Sequence, residues 1–424
     1  MHILVLTDRF TPEISAPSVR IMEHARCWKE LGHEVTVVTC APNFPHGKLF
    51  PGYKNRFYQI EWMEGIRVIR VWSYLAANSG TLKRLIDYNS FLFSSLFFAW
   101  RYPTFDILLA TSPPLFVALA GFLIAKIRRR PWIFEIRDLW PMSVRAVGMN
   151  VGRFLKTFER LELFLYRRAN RIISVSPAFL NYLVGLGISK EKLEVVTNGV
   201  DTEFFSGKHV RFNARERLGI RSTDYLCGYI GTVGMAHGLK TILDAAEKTR
   251  ESDDLYFLIM GEGAEREALE KEARNRGLVR VLFHDFVPHE DVPSYLASLD
   301  VSIVHLKPDP VFKSVIPSKI FECMAMGVQI LCAVEGIAAD IVNEMRAGIC
   351  IPPGDSQKMA DAVMQLKKER GSRDYVPAEA QIAVAQHYSR RAKAEQMLLC
   401  FDRTLGTATR AVQGGIIKNS SQTL

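Results

Sequence analysis

The run Pro317-Ser318-Lys319-Ile320-Phe321-Glu322 sets a cation and a carboxylate one helical turn apart behind a proline, a combination suited to a phosphorylated ligand that also bears hydroxyls. Proline is favoured at the first helical position, where its missing N–H costs nothing. A helix is therefore expected from about Pro317, offering the backbone N–H groups of Ser318, Lys319 and Ile320 to a diphosphate. Residues three and four apart share a face, so Ser318, Lys319 and Glu322 stack on one side, with the Lys319 charge level with phosphate and Glu322 deep enough for a pair of ribose hydroxyls. Ile320, Cys323, Met324 and Gly327 form the opposite, apolar seam for packing on a sheet. In the alternative reading Glu322 meets no ligand and only complements the helix dipole.

Other residues carry weaker chemical signals. Asp138 and Trp140, in DLWP, pair a hydroxyl-binding carboxylate with an apolar ring face; the alternative is a strand end closed by proline with the tryptophan in the core. Arg20 is a candidate phosphate or acceptor ligand, or else a solvated arginine at a helix start. Gly231 and Gly234 let backbone approach a phosphate. Asn198 and Gly199 read as a turn dipeptide at a hinge. Gly261-x-Gly263 follows a strand but lacks the third glycine of a dinucleotide fingerprint, which argues against hydride transfer. With no DxD triplet, HExxH or paired-cysteine set in the chain, no metal and no cofactor are expected; lysine and backbone would stabilise a leaving diphosphate.

These groups need elements to hold them. A chain of 424 residues with 48% hydrophobic content predicts two domains. The net charge of +9 favours anionic partners such as nucleotide sugars, lipid phosphates or acidic membranes, and its spread along the chain ranks a nucleic-acid binder last. The seven cysteines are scattered and odd in number, which fits a reducing cytoplasm rather than a disulfide framework. The apolar run after Met1 is too short for a secretory core, so the chain is expected in the cytosol. Ile107 to Ala125 is uncharged, but Pro113 and Pro114 split it into a buried strand and a helix. Phe91 to Trp100 and Leu115 to Ala125, beside Lys83, Arg84 and Arg128 to Arg130, form either a peripheral membrane face or ordinary covering helices.

Strand and helix signals alternate throughout, which predicts α/β architecture with parallel sheets. In the first half the expected strands are His2 to Leu6, GHEVTVVT, GIRVIRVW, DILLA, PWIFEI and RIISV. In the second they are YLCGYI, DLYFLIMGEG, RVLFHDFVP, DVSIVHL and VQILCAV. Ligands of such sheets sit beyond the carboxyl ends of the strands, so Thr7 to Arg20, Thr111 to Pro114, Arg137 to Ser143 and Asn198 to Asp201 should form one rim.

PSKIFECMAMG, loop one followed by GHEVTVVT, PNFPHGKLFPGY, TSPP, FEIRDLWP and VVTNGVD, in this order, resemble the WbuB-like branch of the family-four retaining glycosyltransferases over about Met1 to Leu405. The resemblance implies a GT-B type fold: an acceptor-binding Rossmann-like domain (1–203) facing a nucleotide-sugar-binding one (204–386) across a central cleft, then a helix returning to the first domain (387–405); the Gly, Ser, Thr and Asn content of 406–424 predicts a disordered tail. It implies Glu322 on the donor ribose, Gly261, Glu262 and Val287 at the base, and Asp138 in the acidic position of the first domain. Departures stand at Ser15 and Ala16 for a glycine pair, Glu135 for a histidine, Ser314 for a glutamate, and Thr232 and His237 for a basic pair, whose charge Lys319, with Lys307 or Arg20, would supply.

The expected activity is transfer of a sugar from a nucleotide-diphosphate sugar, UDP-linked and of the N-acetyl-fucosamine type, to a lipid-diphosphate-linked saccharide at the anionic inner membrane surface, in O-antigen, capsule or exopolysaccharide synthesis. Asp138 and Glu135 are the expected catalytic residues, and Ser15, Arg20, Trp140, Gly231, Thr232, His237, Ser314, Ser318 and Lys319 join the others as substrate ligands. A catalytically silent sugar-nucleotide or polysaccharide binding protein is the alternative, given the departures.

Overall fold

The computed structural model describes residues 1–44, 46–76, 81–139, 155–370 and 376–406, so Trp140 and positions 407–424 lie outside the described residues. Apolar runs with little alternation, such as Ile3-Leu4-Val5-Leu6 and Leu108-Leu109-Ala110, become strands buried on both faces, as parallel sheets require. The first sheet contains β1 (His2–Leu6), β2 (Glu34–Cys40), β3 (Tyr58–Met63), β4 (Ile66–Val71), β5 (Ile107–Ser112), β6 (Trp132–Ile136), β7 (Arg171–Ser174) and β8 (Leu193–Val195), in the order β3-β4-β2-β1-β5-β6-β7-β8. The second contains β9 (Tyr225–Ile230), β10 (Leu255–Met260), β11 (Val281–His284), β12 (Val301–His305), β13 (Gln329–Ala333) and β14 (Gly348–Cys350), in the order β11-β10-β9-β12-β13-β14. Apolar clusters cover both faces of each sheet.

Every recorded pairing is parallel except β3 with β4. Positive φ at Glu64 (50°) and Gly65 (72°) closes that hairpin in the two-residue form that matches strand twist. The order in which successive strands are added reverses between β1 and β5 in the first sheet and between β9 and β12 in the second. In the second sheet β9 and β12 pair only at Val301 with Cys227 and Ser302 with Gly228, then part toward their carboxyl ends. Such a switch point opens a crevice for a ligand.

The helix Arg390–Leu405 lies against Ala16–Glu30: Trp28 Nε1 donates to Ala394 O at 3.0 Å, and the Trp28 and Phe401 rings meet edge-on at 5.3 Å. The uncharged window divides as its prolines predict, into β5 and the helix Leu115–Arg128. Most of Leu115 to Ala125 is buried, so it covers the sheet and offers little apolar surface to a membrane, a correction to that part of the expected face. No helix among the described residues is long and apolar enough to cross a membrane.

Candidate active site

Two glycine loops meet at the carboxyl ends of β9 and β10. A Cβ on Gly261 would lie 2.0 Å from Gly231 O, and one on Gly263 would lie 2.1 Å from Val233 O, so these loops meet backbone to backbone. Val233 N donates to Glu262 O at 2.8 Å and locks the contact. Tyr229, two residues before Gly231 and on the same strand face, donates its hydroxyl to Thr232 O at 2.7 Å.

Lys319 enters from the opposite loop. Its Nζ lies 3.7 Å from the centre of the Tyr229 ring, and a Cβ on Gly231 would lie 2.6 Å from it. Burial pushes the ammonium pKa down to about 8, against the pull of Glu322. His237, whose pKa burial and the Lys319 charge lower to about 4, is a neutral imidazole with a buried Nδ1 that has no hydrogen-bond partner among the described residues. Its carbonyl meets His305 Nδ1 at 2.6 Å, and Lys307 N donates to Ala236 O at 2.9 Å, so the end of β12 braces the loop.

The helix Lys319–Ala325 begins two residues later than expected. Ile320 N donates to Pro317 O at 3.3 Å and Phe321 N to Ser318 O at 3.0 Å, a tight first turn that removes the Ile320 N–H from the set expected to face an anion. Ser318 Oγ donates to Glu322 Oε1 at 3.2 Å, which gathers Ser318, Lys319 and Glu322 on one side. Burial raises the Glu322 carboxyl pKa, opposed by Lys319 and Arg390. The seam of Ile320, Cys323 and Met324 is buried.

Two models of glycosyltransferase halves match the chain in tandem: "Glycosyl transferase 4-like domain" over residues 15–199 and "Glycosyl transferases group 1" over 210–382. The chain belongs to the group 1 glycosyltransferases. A relative from Escherichia coli K12, named "Putative colanic acid biosynthesis glycosyl transferase WcaI", is 27% identical over 341 residues, covering 77% of this chain and 82% of its own. Sucrose-phosphate synthase from Thermosynechococcus elongatus superposes with a TM-score of 0.78 at 18% identity, covering 96% of this chain and all of that one. Anabaena Alr3699/HepE, solved in complex with UDP-glucose, does so at 0.71 and 18% identity, covering 95% and 100%. The fold is GT-B, with two parallel-sheet α/β domains.

On the first sheet this glycosyltransferase departs from two expectations. Arg20 is buried, and all three nitrogens of its guanidinium donate: Nε to Glu135 Oε1 at 3.0 Å, Nη1 to Thr197 O at 2.9 Å and to Asn198 Oδ1 at 3.4 Å, and Nη2 to Val196 O at 2.9 Å. It is neither a solvated arginine nor a group open to phosphate. Glu135, wholly buried on β6, faces this arginine instead of the rim, so the pair acts as scaffold and the expected catalytic role of Glu135 is corrected. Asp138 lies half-buried just past β6, beside Arg137, whose Nη2 donates to Pro113 O at 2.9 Å. Ser15 caps the helix Ala16–Glu30, accepting from Ser18 N at 3.4 Å. Ser314 donates to Val311 O at 2.7 Å within its own short helix, Val287 is buried in the core of the second domain, and the exposed side chains of Thr232 and Glu262 leave their carbonyls to the loop contacts above.

The sequence reading missed Tyr229, Glu23 and Arg390. Tyr229 was legible as an aromatic two residues ahead of a glycine at a strand end. Arg20, Glu23 and His24 share one helical flank beside the buried Ile21, Met22, Ala25 and Trp28, a polar stripe that signals a charged partner; for Glu23 that partner is Arg390.

Proposed function

We propose that this glycosyltransferase moves a sugar from a UDP-linked donor, an amino or deoxy sugar of the N-acetyl-fucosamine type, to a lipid-diphosphate-linked saccharide, with retention of anomeric configuration and without a divalent ion. The observation that carries the donor reading is the Lys319 ammonium seated between Tyr229 and Gly231 at the switch point of the second sheet. There it meets the charge that develops when the bond from the anomeric carbon to the diphosphate oxygen breaks. The acceptor hydroxyl oxygen bonds to that carbon, and its proton passes to the departing phosphate. Glu322 accepts from the ribose hydroxyls; His237, its Nδ1 without a partner among the described residues, lies on the donor side; and Asp138 takes hydroxyls on the acceptor side. HepE, crystallised with UDP and with UDP-glucose, supports the choice of nucleotide, and the colanic acid name of the E. coli relative supports a polysaccharide product.

A lipid-linked acceptor places the reaction at a bilayer, and the helix Thr81–Phe97 supports that placing. Leu82, Ile86, Phe93 and Phe97 fall within about 60° of one another around its axis and are exposed, with Trp100 exposed just beyond. Arg128 donates to Ala99 O and Tyr102 O at 3.4 and 3.3 Å, which brings the exposed Arg129 and Arg130 alongside. The test is transfer from a panel of UDP-sugars to lipid-diphosphate saccharides in excess chelator, followed by mass spectrometry and by the anomeric configuration of the product. Transfer only from GDP-sugars, an absolute need for magnesium or manganese, or an inverted product would overturn the corresponding part of the reading.

A further inference from the structure

Two chain crossings join the sheets, at 196–201 and at 388–390, and they are zipped together. Val200 N donates to Tyr388 O at 2.9 Å, Arg390 N donates to Val200 O at 2.9 Å, and a Cβ on Gly199 would lie 2.3 Å from Tyr388 O. Each crossing also grips one end of the loop and helix that carry Lys319 and Glu322. On one side Asn198 Nδ2 donates to Ile316 O at 3.4 Å, at the peptide immediately before Pro317. Its Oδ1 faces Arg20 Nη1, a donor, which fixes the amide orientation. On the other side the Tyr388 ring stacks on Phe321 at 4.5 Å and 23°, next in sequence to Glu322, and Lys393 Nζ lies 4.8 Å from the centre of the same ring.

Arg20 ties this arrangement to the first sheet through Glu135, and the Glu23–Arg390 ion pair ties the second crossing to the helix Ala16–Glu30. Buried groups with mutually dependent partners hold one geometry, because displacing any of them leaves polar atoms unsatisfied. We propose that Asn198 and Tyr388 are positioning residues for the donor: from opposite ends they clasp the segment from Ile316 to Glu322 and so set the spacing of Lys319 and Glu322 that a nucleoside diphosphate needs. Neither residue touches the donor in this account. The proposal rests on the donor reading given above.

The test titrates UDP calorimetrically into wild type, N198D, Y388L, E322A and the double variant N198D/E322A, and records melting without ligand. N198D keeps an acceptor for Arg20 but cannot donate to Ile316 O, while Y388L keeps an apolar side chain but loses the stack. Each is expected to weaken UDP binding by about tenfold, the size of one well-placed hydrogen bond for N198D and of one aromatic pair for Y388L, with melting within a few degrees of wild type. Because Asn198 acts by setting Glu322 against Lys319, a spacing that no longer matters once the carboxylate is gone, N198D should cost less when added to E322A than when made alone. Wild-type affinity in N198D and Y388L, or fully multiplicative losses in the double variant, would overturn the clasp and leave the donor reading standing. Absence of UDP binding by wild type would overturn the donor reading, and the clasp with it.

Discussion

Lys319 Nζ rests 3.7 Å from the centre of the Tyr229 ring, on a strand whose next glycine, Gly231, has no space for a Cβ because the lysine fills it. The ammonium is therefore held by a ring face and by backbone in a place where burial lowers its pKa to about 8 from 10.5. Two opposite pH trends follow. Donor binding needs the charged form, so UDP affinity should fall above about pH 8, approaching about tenfold per pH unit, and K319Q should bind weakly with no such fall. The unfolded chain binds the proton more tightly than the native one, so this group makes stability rise between about pH 8 and 10.5. Calorimetry and denaturant melts across pH 7 to 10 check both; UDP affinity rising with pH would contradict the assignment.

Arg20 and Glu135 make a buried ion pair that spans 115 positions of sequence. Removing one partner leaves an uncompensated buried charge, so R20M should cost about 3–5 kcal/mol of stability. R20M/E135Q should recover part of that loss, because the neutral amide no longer needs a cation. Urea unfolding of the two variants beside wild type measures both. A free arginine ligand, by contrast, would lose substrate affinity in R20M with little change in unfolding.

The difference between Arg20 and Lys319 shows what was readable in the sequence. Lys319, Glu322 and Ser318 lie within one helical turn, so spacing alone brings them together, and the alternation of β1, β2, β5 and β6 with helices was visible as short runs rich in apolar and β-branched residues. The burial of Arg20 depends on Glu135 and on carbonyls 176 and 177 positions away, which no local pattern contains. β3 carries a half-exposed edge pattern, and β8 and β14 are three residues long, too short for periodicity to register. The apolar helix Leu115–Arg128 looked like a membrane face because composition does not reveal which side is covered; in the folded chain that exposure passes to Thr81–Phe97.

The exposed stripe of that helix predicts membrane association that is both apolar and electrostatic. Each basic residue close to an anionic surface contributes about 1 kcal/mol, so Lys83, Arg129 and Arg130 should make binding to phosphatidylserine vesicles fall with salt. The triple change F93S/F97S/W100S removes exposed side chains and should abolish co-sedimentation while leaving UDP affinity intact. Equal partitioning of wild type and the triple variant, or none by either, would leave a soluble acceptor as the better account.

The central claim is that the face of Ser318, Lys319 and Glu322 binds the nucleotide of a sugar donor, and UDP titrated into wild type and E322A tests it most directly. A charge-assisted hydrogen bond to ribose is worth roughly 1.5–3 kcal/mol, so E322A should bind UDP between about tenfold and over a hundredfold more weakly, with its melting temperature little changed. Equal affinity of E322A and wild type for UDP would contradict the claim.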